Sequence, residues 1–217
     1  MHKKTVEAIE DNKIIAILRG IKSDDLIPLA EAMYNGGIRL LEITFSAGKP
    51  ESDNKTAESI AQLVAHFGER MHIGAGTVLT EHQAELVKLA GGKFIISPDT
   101  NIGVIKKTRE LGLVSIPGAL TPTEIEAAQR AGADFVKLFP ASVLGAEYVK
   151  AVKAPLSNVK LLAVGGINEK NMAEYLAAGI SGFGIGSNIT DKALIADGRF
   201  DMITALAKKY VSALRRV

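Results

Sequence analysis

Short apolar runs alternate along this chain with longer amphipathic ones, from one end to the other. Runs that are continuously apolar, or apolar at every second position, predict strands over residues 13–18, 38–44, 71–75, 94–97, 113–117, 134–139, 160–164 and 182–185. Patterns with helical period fill the gaps, at 24–35, 53–67, 81–90, 102–111, 122–131, 146–153, 169–178 and 202–215, and a short amphipathic helix over 5–10 precedes the first strand. Glycine follows several of these helices, as in Ala90-Gly91-Gly92 and Arg130-Ala131-Gly132, where a left-handed cap needs no Cβ. Thr121-Pro122-Thr123-Glu124 reads as a helix start, with proline in the first turn and glutamate at the capping-box position.

Strands that are apolar on both faces need cover on both sides, which predicts a parallel sheet. Eight βα units in 217 residues fit a single (β/α)8 TIM barrel of class α/β, with the short N-terminal helix at its start. A doubly wound open sheet is the alternative. No linker or low-complexity run divides the chain, so residues 1–217 are expected to form one domain.

In a barrel, the loops that follow the strands carry the chemistry. Asp134-Phe135-Val136-Lys137-Leu138-Phe139 places Phe135, Lys137 and Phe139 on one face and Val136 and Leu138 on the other. Either face would be buried, and a lysine stripped of water tends towards its neutral, nucleophilic form. Such an amine can form a Schiff base with a carbonyl. A lysine that extends its stem into solvent or pairs with a carboxylate also fits this strand. In the second strand Leu40, Glu42 and Thr44 alternate with Leu41, Ile43 and Phe45, and the helix-facing set must be the apolar one. Glu42 therefore points into the barrel, as a proton donor and acceptor beside the lysine or as its ion-pair partner.

Gly74-Ala75-Gly76-Thr77-Val78 ends the third strand in small residues, which would let backbone approach a ligand and let Thr77 hold a carboxylate; a tight turn with Thr77 as a helix cap is the other reading. Val164-Gly165-Gly166-Ile167 and Gly184-Ile185-Gly186-Ser187 follow the last two strands. Glycine-rich loops at those two positions suit a phosphate. Arg19, after the first strand, can clamp a carboxylate or phosphate, or be an ordinary surface arginine.

Composition removes several other chemistries. Lys and Arg number 26 against 24 Asp and Glu, a net charge of +2 with no basic patch, so nucleic acid is not an expected partner. There is no cysteine, which removes thiol catalysis and suits a reducing, cytoplasmic setting. The first residues form no apolar signal core, and no apolar run approaches the ~18 residues of a membrane span. His2, His66, His72 and His82 show no metal-ligand spacing.

The residues above, taken with Ile14-Ile15-Ala16-Ile17-Leu18-Arg19-Gly20, Leu41-Glu42-Ile43-Thr44, Ser97-Pro98, Pro117-Gly118 and Val136-Lys137-Leu138-Phe139-Pro140-Ala141, make the chain similar along nearly its whole length to the 2-keto-3-deoxy-6-phosphogluconate (KDPG) and 4-hydroxy-2-oxoglutarate (KHG) aldolases. The resemblance implies a class I aldolase that splits a phosphorylated 2-keto-3-deoxy sugar acid into pyruvate and glyceraldehyde 3-phosphate. It implies no metal or cofactor, and a homotrimer. Lys137 would form the Schiff base and Glu42 would be the general acid and base. Arg19 and Thr77 would bind the pyruvyl carboxylate, Pro98 and Phe139 would line the pocket, and Gly165, Gly166, Gly186 and Ser187 would hold the phosphate. The chain departs from the family pattern at Ser46, where many members have arginine, and at Val164, where many have threonine. The second departure resembles the branch acting on the galactonate epimer and makes both positions candidates for specificity. An isomerase or epimerase in which Lys137 only orients substrate, and a sugar-phosphate sensor with a decayed site, are the competing functions.

Overall fold

The computed structural model describes residues 1–214, and these form a ring of parallel strands with helices outside. After α1 (His2–Asn12) the chain runs through β1 (Ile14–Leu18), α2 (Ser23–Asn35), β2 (Leu40–Thr44), α3 (Asp53–Phe67), β3 (His72–Gly76), α4 (Glu81–Leu89), β4 (Phe94–Ile96) and α5 (Ile102–Glu110). The second half comprises β5 (Val114–Ile116), β6 (Gly118–Ala119), α6 (Pro122–Arg130), β7 (Val136–Leu138), α7 (Ala141–Lys153), β8 (Leu161–Val164), α8 (Met172–Ala177), β9 (Gly182–Ile185), α9 (Lys192–Ala196) and α10 (Phe200–Leu214).

The sheet order is β5-β4-β3-β2-β1-β9-β8-β7-β6, so the two edge strands are neighbours in the chain. The first half, β5, lies within the expected fifth strand at 113–117, and the second, β6, continues it past Pro117, which lacks an N–H for the ladder. The first half pairs with β4 and the second with β7. The Lys137 N–H donates to the Pro117 carbonyl at 2.8 Å, which bridges the break and closes the barrel. The expected (β/α)8 barrel is therefore the fold, and an open sheet is not.

The alternation read in the strands separates two cores. Ile15, Leu40, Phe94, Ile96, Val114, Ile116, Phe135 and Leu162 fill the barrel interior, and Ile9 and Val6 of α1 pack against them. Leu41, Ile43, Val136 and Leu138 face outwards into the larger layer beneath the helices. Full burial of side chains such as Phe94 and Phe135 contributes about 1.5–3 kcal/mol each.

Local signals also hold. The Thr121–Glu124 capping box is formed, with the Thr121 N–H donating to Glu124 Oε2 at 2.8 Å. Gly91 and Gly132 take φ of 81° and 103°. Gly145, at φ 74° and ψ 178°, interrupts α7, so its regular part is the 146–153 stretch expected from the sequence. The short α9 was not expected, and α8 is shorter than its pattern suggests. Arg215, the last residue of the expected final helix, lies outside the described residues.

Candidate active site

Lys137 is the central residue of β7, paired in register with Gly118 of β6 and Leu162 of β8. Its neighbours Val136 and Leu138 are held in the outer core, so Lys137 must project inwards, where it is 8% exposed. Burial pushes its amine below the ordinary lysine pKa and Arg19 adds to that, while Glu42 opposes it. Its Nζ lies 4.7 Å from the centre of the Phe139 ring. No carboxylate is within 4 Å of it among the described residues, so neither the ion-pair reading nor the solvent-reaching one describes this lysine.

Glu42, the middle residue of β2, stands opposite Ile17 of β1 and Gly74 of β3 and is 2% exposed. Burial raises its pKa, against the opposing pull of Lys137, the Thr44 hydroxyl and Arg19. Thr44 Oγ1 donates to Glu42 Oε1 at 3.2 Å. Glu42 Oε2 is buried without a hydrogen-bond partner among the described residues, which is costly unless a ligand or water completes it.

The glycines of β3 make room for this carboxylate. A Cβ on Gly76 would lie 1.6 Å from Glu42 Oε1, and one on Gly74 would lie 2.4 Å from the Phe94 ring. This corrects the expectation that these small residues admit a ligand to the backbone, because the space they leave holds protein side chains. The cap reading of Thr77 is also corrected. Thr80 Oγ1 accepts the α4 capping bond from Gln83 N, whereas Thr77 has φ 56°, a left-handed backbone that β-branched residues rarely adopt.

Lys137 and Glu42 open into one cavity of about 600 Å³ at the end of the barrel where the strands run into their following loops. Arg19, Thr77, Pro98, Phe139, Val164, Gly165, Gly166, Gly186 and Ser187 line the same cavity. Among the sequence candidates, Ser46 alone is not in the lining: it is exposed, and Ala47 takes its place. Arg19 is exposed and free of an ion pair among the described residues, which leaves its guanidinium available at the rim. The N–H groups of Gly166, Ser187 and Asn188 donate to no protein acceptor among the described residues. These free donors, more than the starts of the short helices α8 and α9, equip this side of the cavity for an anion.

Sequence reading missed Ile17, Ile21, Ala47, Leu79, Thr190 and Lys192 in the lining, and did not single out Ile167, Gly184 and Asn188 within or beside the glycine-rich loops. Ile17 could have been found, since it pairs with Glu42 and shares its inward phase. Asn188 and Thr190 follow Ser187 in a loop whose path no periodicity describes, and Lys192 opens the unexpected helix α9. The histidines take no part: His66 contacts Glu31 at 2.6 Å, His2 contacts Asp134 and Arg109, His72 contacts Thr5, and His82 approaches Glu85.

A closed α/β barrel whose cavity holds a desolvated lysine, a buried carboxylate with an unsatisfied oxygen and a set of free anion donors is equipped for lysine-dependent chemistry on an anionic carbonyl compound. The family model for KDPG and KHG aldolase matches residues 6–206, and the chain belongs to that family. It is an aldolase. It is 38% identical over 199 residues, 91% of each chain, to a probable 2-dehydro-3-deoxy-6-phosphogalactonate aldolase of Rhizobium meliloti. Over 205 residues, 94% of each chain, it is 36% identical to a 2-dehydro-3-deoxy-phosphogluconate aldolase of Treponema pallidum. Among solved structures it resembles a KDPG aldolase of Legionella pneumophila in which pyruvate is captured as a covalent carbinolamine, with a TM-score of 0.84 and 30% identity over 94% of this chain and 96% of that one.

Proposed function

We propose that this chain cleaves a 2-keto-3-deoxy-6-phospho sugar acid, the gluconate in the leading reading, to pyruvate and glyceraldehyde 3-phosphate through a Schiff base on Lys137. The observation that carries this reading is a nearly buried lysine with no carboxylate within ion-pair distance among the described residues, sharing a cavity with Glu42. Its lowered pKa favours the free amine that attack on the C2 carbonyl requires. Attack gives a carbinolamine; loss of water leaves a protonated imine. Glu42 then accepts the C4 hydroxyl proton, the C3–C4 bond breaks as the aldehyde forms, and its electrons move into the imine to leave an enamine. Glu42 returns the proton to C3, and water releases pyruvate and regenerates the amine. Because the imine is the electron sink, this route uses no metal or cofactor.

Arg19 and Thr77 would hold the carboxylate, with Pro98 and Phe139 as the walls of the pyruvyl pocket. Gly165, Gly166, Gly186 and Ser187 would hold the phosphate. A second reading, the same cleavage of the galactonate epimer, is favoured by Val164, which presents no hydroxyl to the middle of the cavity. We place 4-hydroxy-2-oxoglutarate as a further substrate, and a single-domain homotrimer in the cytoplasm as the working form. The lack of cysteine suits that compartment, and among the described residues no helix is long and apolar enough to cross a membrane.

The test is to treat the protein with pyruvate and borohydride and measure its intact mass. Wild type should gain one reduced pyruvyl adduct on Lys137, and Lys137→Met should gain none and lose cleavage while remaining folded, since an apolar chain of similar length replaces the amine. A Lys137→Met variant that still cleaves the substrate would exclude the Schiff-base route.

A further inference from the structure

Outside the cavity, between α3 and α4, two polar side chains are almost fully buried. Asp53 and Gln83 are each 7% exposed, and neither lines the cavity. Gln83 Nε2 donates to both Asp53 oxygens, at 3.2 and 3.1 Å. Gln83 Oε1 accepts from the backbone N–H of Leu79 at 2.8 Å. These partners fix the amide's orientation: turned over, its NH2 would face an N–H and its carbonyl a carboxylate.

Leu79 belongs to the loop that contains the left-handed Thr77, and both residues line the cavity. A β-branched residue at φ 56° is strained and persists only where its surroundings hold it there. The holding bonds lie directly after it. Val78 N–H donates to the Ile96 carbonyl at 3.2 Å, and Ser97 Oγ donates to the Val78 carbonyl at 2.7 Å. The Leu79 N–H bond to Gln83 is the third, and it reaches the loop from the outer layer of the molecule.

We propose that Asp53 and Gln83 are positioning residues: through Leu79 they hold the Thr77 loop in the conformation that binds the pyruvyl carboxylate. This rests on the reading of Thr77 as a carboxylate-binding residue. Asp53 orients the Gln83 amide, and the oriented amide fixes the loop. Loss of the pair therefore weakens substrate binding more than it slows formation of the imine at saturating pyruvate.

The experiment measures the pyruvate concentration for half-maximal borohydride trapping at pH 8, alongside the melting temperature. Gln83→Glu sets a second carboxylate against Asp53, and should raise half-saturation by roughly tenfold, the scale of a broken network bond, with the maximal trapped fraction retained. The double variant Gln83→Glu/Asp53→Asn restores both bonds with exchanged chemistry: the new carboxylate accepts from Leu79 N–H and from the new amide. It should return half-saturation to within about threefold of wild type. If Gln83→Glu lowers only the melting temperature, or if the double variant melts like wild type yet binds pyruvate as weakly as the single one, the positioning role is overturned. Should the single variant not fold, the double variant alone decides: a wild-type melting temperature with half-saturation roughly tenfold above wild type overturns the role, and half-saturation within about threefold supports it. Thr77→Val separates the underlying reading, because unchanged half-saturation there removes the Thr77 hydroxyl from carboxylate binding whatever Gln83 does.

Discussion

Val164 stands at the end of β8, 6% exposed, and its Cγ2 lies 2.8 Å from where a Cβ on Gly184 would be. It borders the cavity immediately before the Gly165-Gly166 turn, between the Lys137 end and the free N–H groups of the proposed phosphate end. Val164→Thr keeps the shape and adds one hydroxyl there. If that hydroxyl meets a substrate hydroxyl in one epimer only, the ratio of kcat/KM for the gluconate and galactonate phosphates should shift towards the gluconate by about 1–3 kcal/mol, the scale of one hydrogen bond made or left unmade. Equal loss on both substrates would show that Val164 only packs. At this scale the sequence was informative wherever strand phase decides which way a side chain faces, as for Lys137, Glu42 and Val164. It was silent at Ala47, in a loop, and at Lys192, where the unexpected helix α9 begins.

Within elements, β3 shows what a pattern can and cannot say. Gly74 and Gly76 were visible as small residues at inward positions, but their purpose depends on neighbouring strands: Gly74 accommodates the Phe94 ring from β4 and Gly76 the Glu42 carboxylate from β2. The two glycines should therefore fail differently. Gly74→Ala drives a methyl into a packed ring and should cost about 1–3 kcal/mol of stability, as overpacking does. Gly76→Ala drives the same methyl into the end of a longer side chain that can turn aside, so its main effect should be on turnover, approaching the roughly 10²–10⁴-fold loss expected for removing a general acid and base. Melting curves and cleavage rates of the two variants provide the comparison, and a Gly76→Ala enzyme of wild-type activity would mean that Glu42 need not occupy its present place. The break in the fifth strand was legible as Pro117 but not as a split, because a ladder closed across a proline depends on Lys137 N–H, twenty residues further along the sequence.

For the whole barrel, housing this chemistry has a thermodynamic consequence. The closed ring and its two cores follow from apolar periodicity and were legible. The balance of charge inside the mouth was not, since it depends on how far each group is removed from water. Burial holds Glu42 above its ordinary pKa of 4.5. In the unfolded chain Glu42 ionises near that value, while in the native state it keeps its proton to higher pH. Between the two values the native state binds more protons, so this residue's contribution to stability falls as pH rises through that window. Lys137 acts in the opposite sense: its lowered pKa means that the native state binds fewer protons below 10.5, and its contribution rises with pH. Lys137→Met removes this second effect and also the larger of the two cationic influences on Glu42, leaving burial opposed by the Thr44 hydroxyl and Arg19. In that background, adding Glu42→Gln should stabilise the protein more at pH 8 than at pH 5, because the amide has no proton to lose on ionisation. Denaturant midpoints of the two variants at both pH values measure it. A gain that is the same at pH 5 and pH 8 would show that Glu42 ionises in the barrel as readily as in water, and burial would then not be what prepares it to carry a proton.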